Sequence, residues 1–172
     1  MAVNLTISVD VLGRQTTALD LGTSTTAHRG TYPGTLHSTD YATGTGDNQQ
    51  DLIWSDTRTA AASADTIDLA GSLAGAHGGT VTFVEVRGIY IKNKATAAAS
   101  TLLVGAGSNP AFSGLFGATG DIIKVPASGC FLWHAPLDGG GLAVTAGTGD
   151  ILTIDPGAAT VTYDVIIWGA SA

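Results

Sequence analysis

The chain holds one cysteine, one glutamate, one methionine and three lysines in 172 residues, and each scarcity excludes something. A single thiol, Cys130, permits no intramolecular disulfide and no thiolate zinc set. With Glu85 as the sole glutamate, the Glu–Lys pairing that supports solvent-facing helices is missing. Charged residues make up 12% of the chain, against roughly 25% in an average domain. No apolar run approaches the ~18 residues of a transmembrane helix. The opening MAVNLTISVDVL has no positively charged flank, so no signal peptide is expected and folding in a cytoplasm is. The seven Lys and Arg are scattered singly under a net charge of −7, so the basic footprint of a nucleic-acid binder is absent. The same acidity disfavours an anionic membrane surface.

What remains is Ala, Gly and Thr, together 74 of the 172 residues, and short runs of β-forming residues cut by Gly, Asp and Pro. In Val161–Ile167, apolar Val161, Tyr163, Val165 and Ile167 alternate with Thr162 and Asp164, the period of a strand with one face in a core. Residues 4–12 alternate as cleanly, and 17–21 reads as a short return strand. Further strands are expected at 51–58, 65–70, 80–93, 101–104, 121–125, 130–134, 142–145, 150–154 and 160–168. Gly88, inside the longest of these, predicts a bulge or a close approach. Residues 60–64 (AAASA) favour helix but are too few to nucleate one. Only 110–117 is read as a possible helical turn. Cys130, opening a strand-like run, is expected to be a small core hydrophobe.

Nine to eleven short strands and no amphipathic helix give an all-β chain, an antiparallel β-sandwich of jelly-roll type. It is read as one domain: N-terminal strands in 1–21, a polar arm or loop in 22–50, and the sandwich in 51–172. The arm is too poor in apolar residues for a core of its own, and a loop of that length is usually functional or lies against a partner.

Chemistry-bearing patterns are sparse. Thr-Gly-Asp recurs at 45–47, 119–121 and 148–150, and Asp47 with Asp51 is the densest acidic pair. Each loop offers one carboxylate, which suits a turn cap better than calcium. His28, His37, His77 and His134 form no ligand spacing. A Gly-x-Ser-x-Gly elbow is missing; Ser128, His134 and Asp138 can be grouped only by proximity in sequence. No catalytic, cofactor or metal residue is therefore assigned. Tyr32, Tyr41, Trp54 and Trp168 are the candidate interface residues, aromatic anchors that either meet a partner or pack on the chain itself.

Three stretches carry a resemblance: 55–73 (SDTRTAAASADTIDLAGSL), 104–125 (VGAGSNPAFSGLFGATGDIIKV) and 143–171, which ends in TVTYDVIIWGAS. They resemble small β proteins encoded in the structural-gene region of tailed bacteriophages, the head decoration or cement proteins. The resemblance implies a non-enzymatic virion protein that assembles as a homo-oligomer, a trimer. It would bind the major capsid protein on the capsid exterior. Residues 1–50 share the resemblance only loosely. A tail or baseplate component, or a receptor- or glycan-binding module, is the alternative. A wall-degrading hydrolase stands third.

Overall fold

The computed structural model describes residues 3–9, 13–18, 25–30 and 37–172, apart from residues 72, 77, 106, 108–110, 119 and 138; for 13–18, 25–30 and 37–38 it describes the main chain alone. Tyr32, His77 and Asp138, and the proposed strand residues 19–21, lie outside the described residues.

Sixteen strands are described, and no helix. The N-terminal set is β1 (Leu5–Val9), β2 (Gly13–Ala18), β3 (Thr25–Gly30), β4 (His37–Thr43) and β5 (Gln49–Gln50). Then come β6 (Leu52–Ala61), β7 (Asp65–Asp68), β8 (Leu73–Ala74), β9 (Thr80–Val81), β10 (Glu85–Asn93) and β11 (Leu102–Val104). The chain closes with β12 (Ile123–Val125), β13 (Cys130–His134), β14 (Leu142–Ala143), β15 (Ile151–Asp155) and β16 (Thr160–Ala170).

Two sheets form the body. One runs β13-β10-β16-β6 with β14 beside β10; the other runs β12-β11-β15-β7. The pairing is nested. β6 joins β16, β7 joins β15, β10 joins β13 and β11 joins β12, each pair antiparallel. Alternation places Val161, Tyr163, Val165 and Ile167 of β16 on the inner face, all buried, against Ile89 and Ile91 of β10. The second sheet contributes Leu102, Val104, Leu152 and Ile154 to the same apolar cluster, so the core is the space between two sheets. The all-β sandwich expected from periodicity is what folds.

The stretch 22–50, read as arm or loop, contains β3, β4 and β5. β4 pairs with β1, from Leu5↔Tyr41 to Val9↔His37, and β2 pairs with β3, from Gly13↔Gly30 to Ala18↔Thr25. β2 and β3 fall between β1 and β4 in chain order, so the two antiparallel pairs are nested in sequence and together make up the ribbon. Its polar composition hid it, because a two-stranded ribbon needs an apolar residue only where it touches something else. The alanine run also differs from expectation: Ala60 and Ala61 extend β6, and Ala62 turns the chain at φ 53°. Of 110–117, the described residues 111–117 hold a turn, with Phe116 N–H on the Ser113 carbonyl, rather than a helix.

Gly88 behaves as its position in a strand suggests. The β10–β16 register shifts between Val86 and Gly88, the bulge that the glycine signalled. A Cβ at Gly88 would fall inside the ring of Trp168, its cross-strand neighbour.

Candidate functional site

The outer face of the β13-β10-β16-β6 sheet is where the two parts of the chain meet. Residues opposite one another across strands share a face, so His134, Gly88, Trp168 and Ile53 form one outward row. Leu132, Tyr90, Ile166 and Ser55 form the next. The ribbon base lies on these rows: Ile7, Tyr41 and Trp168 are buried together, with Leu5, Tyr90, Leu132 and Ile166 packed around them. The Trp168 ring occupies the space over Gly88, and Tyr41 meets it edge-on, centroids 6.4 Å apart at 70°. The Tyr41 hydroxyl lies 3.2 Å from His134 Nδ1. Burial pushes the Tyr41 phenol above its ordinary pKa, and the Trp168 indole and the Arg87 charge oppose that shift.

Polar groups complete the joint. Arg87, wholly buried in β10, donates to the carbonyls of Thr45, Gly46 and Gln49 at 2.5–2.7 Å and to Glu85 Oε2 at 2.9 Å. An arginine presents several donors in a fixed fork, so one side chain fastens a whole turn. Asn48 N–H adds a bond to the Pro136 carbonyl, and the Asp51 carboxylate accepts from the Ser171 main chain and hydroxyl. The C-terminus is thereby tied to the start of β6.

A second polar cluster closes the edge of the sandwich. Arg58 of β6 forks onto Asp65 of β7 with two bonds of 2.7 Å, and the Tyr163 hydroxyl donates to the same carboxylate at 2.7 Å. β6 and β7 are edges of different sheets, so the cluster clasps the two layers. Burial raises the Asp65 pKa, but the bonds from Arg58 and Tyr163 outweigh it and hold the carboxyl below the usual range. Burial, reinforced by Asp65, pushes the Tyr163 phenol far up.

The candidate interface aromatics divide accordingly. Tyr41 and Trp168 fill the joint between ribbon and sheet; Trp54 lies in the sandwich core with its indole N–H on the Ala74 carbonyl at 3.2 Å. All three pack on the chain itself. Cys130 does not sit in the core as expected. It is exposed on the outer face opposite Lys92, beyond the rows that the ribbon covers. Two of the three Thr-Gly-Asp aspartates act as turn caps: Asp121 accepts from Ala118 N–H and Asp150 from Gly147 N–H. No group of three potential metal ligands converges among the described residues. Ser128 lies beyond one end of β13 and His134 at the other, so that strand separates them instead of bringing them together.

Sequence reasoning did not find the exposed edge of β6, or the groove of about 350 Å³ beside it lined by Val3, Ile53, Gly75, Ala76, Gly78 and Val81. Edge status depends on which strands pair, which no single strand's pattern reveals. No family model, curated protein or solved structure matches the chain.

Proposed function

We propose that the chain is a non-enzymatic virion structural protein of a tailed bacteriophage, a decoration protein that binds the outside of the major capsid protein shell and stabilises it as a homo-oligomer. The nested pairing of first strand with last, second with seventh, third with sixth and fourth with fifth is read as a jelly roll, two interlocked Greek keys. The observation that carries the reading is the ribbon: its base is anchored on a rigid sheet, while β2 and β3 pair with each other and with no other described strand. A self-paired hairpin on a firm base suits engagement of a neighbouring subunit, where main-chain hydrogen bonds supply affinity and several copies supply avidity. The resemblance in 55–73, 104–125 and 143–171 supports the same assignment. Arg58, Arg87, Asp51 and Asp65 support it too, each being engaged in fastening the fold.

The test is binding of purified protein to mature capsids that lack it. Saturable binding is expected, and absence of binding across salt conditions rejects the reading. Gold labelling of whole particles separates locations, since label on the tail alone moves the protein to the tail or baseplate. Replacing residues 13–30 with a short turn should weaken capsid binding at least tenfold while leaving the melting temperature of the body unchanged.

A further inference from the structure

We propose that two copies of this chain pair edge to edge through β6, antiparallel about a two-fold axis passing at Thr57. β6 is ten residues long and, among the described strands, is paired on one side only, to β16. Ala62 N–H bonds to the Ala159 carbonyl in the same register, so even-numbered residues of β6 face β16. The main-chain groups of Ile53, Ser55, Thr57, Thr59 and Ala61 therefore point to the open edge, where no described main chain pairs with them. An unpaired edge of this length is a template for another strand.

The side chains select both the partner and the register. Asp56 and Arg58 lie on the core-facing side of this edge strand, opposite Val165 and Tyr163. Inward charges on an edge strand oppose indiscriminate pairing, because most registers leave them unmatched or face like charges. Antiparallel pairing with a second copy centred on residue 56 sets Asp56 against Asp56; centring on residue 58 sets Arg58 against Arg58. Centring on Thr57 sets each Asp56 against the second copy's Arg58, twice. The Asp56 side chain is 45% exposed and its ion pair with its own Arg58 is a loose 3.5 Å, so it has capacity for that contact. The outward-facing Ser55, Thr57 and Thr59 are exposed, small or β-branched, and suited to cross-strand pairs.

The same two-fold solves a second problem. Residues 61–64 (Ala-Ala-Ser-Ala) are all exposed, an apolar corner facing solvent. In the Thr57-centred register the second copy's Ala61 comes opposite Ile53, and its next residues run past Leu52 and Asp51. That is the position of the groove between Val3 and the β8–β9 hairpin, lined mostly by small or apolar residues with Asp51 and Ser55 on the β6 side. Each copy thus brings the corner that fills the other's groove. The contact is isologous, so it closes at two copies instead of growing into a fibre. It does not rest on the virion reading.

Sedimentation of the full chain at tens of micromolar should give twice the chain mass. In a Cys130→Ser background, Thr57→Cys places two thiols on the axis, about 5.5 Å apart at Cα and inside the disulfide range of roughly 4.4–6.8 Å. Thr59→Cys separates them by ~13 Å along the strands. Oxidation should cross-link most Thr57→Cys chains and leave Thr59→Cys at background, and Asp56→Lys should raise the dimer dissociation constant at least tenfold. A monomer at every concentration, equal cross-linking of the two cysteine variants, or a trimer in which Thr57→Cys does not cross-link overturns the proposal.

Discussion

The sandwich and the ribbon solve the same problem with very different means. Among the described residues, the sandwich core gathers 20 buried apolar side chains from both sheets, whereas the core under the ribbon has three, Ile7, Tyr41 and Trp168. Three such side chains, at about 1.5–3 kcal/mol each, fall short of the ~1–2 kcal/mol per residue that ordering the ribbon costs, so it needs help. The help is polar and donated by the sandwich: Arg87 holding the 45–49 turn and Asn48 bonded to Pro136. The ribbon is thus a layer seated on the sandwich.

That difference is most sharply tested in the core itself. Leu152→Ala removes a fully buried side chain from the second sheet and should cost about 2–5 kcal/mol. Denaturant unfolding followed by tryptophan fluorescence should shift as a single transition, ribbon included. Two separate transitions in that variant would mean that the layers are coupled less tightly than the shared Trp168 requires. A smaller and more local effect belongs to Gly88→Ala. The new methyl group displaces the Trp168 ring and should cost ~1–3 kcal/mol as an overpacking substitution. Amide exchange should speed up first in β1 and β4, with β11 and β15 still protected. Uniform loss of protection would instead place Trp168 in the main core energetically.

The same contrast explains what the sequence makes legible. Val161–Ile167 reads correctly as a half-buried strand because a sandwich imposes period two on every strand it contains. Its apolar ending, Ile166-Ile167-Trp168, exceeds what one buried face needs, and the excess has a cause: the ribbon covers the other face at that end. Gly88 is legible as an irregularity, although that it makes room for an indole is visible only in three dimensions. β3 and β4 are not legible, since a ribbon touching the body through Ile7 and Tyr41 leaves most of its positions polar. Cys130 is misread for the related reason that its strand has one covered and one open region on the same face. Tyr41, Trp54 and Trp168 stand out as aromatics in the sequence, but whether they face a partner or the chain itself depends on pairing.

The smallest expected effect is confined to acid and belongs to the clasp. Asp65 has a folded pKa below its unfolded value of about 3.9. A depressed carboxylate stabilises the fold fully above the unfolded pKa, and that contribution fades as pH falls through the folded one. Stability should therefore be flat in this respect near neutrality and decline below about pH 4 as the bonds from Arg58 and Tyr163 lose their charged acceptor. Asp65→Asn removes the titration, so its stability should be lower than that of the parent at neutral pH and should converge on it in acid. Urea titrations at a series of pH values measure the gap directly. Because the clasp joins β6 to β7 and lies away from the Tyr41–Trp168 contact, ribbon amides should keep their local exchange rates in the variant. A gap that stays constant through acid removes Asp65 as the titrating group. Faster exchange in β1 and β4 would show that the edge of the sandwich and the seat of the ribbon open together.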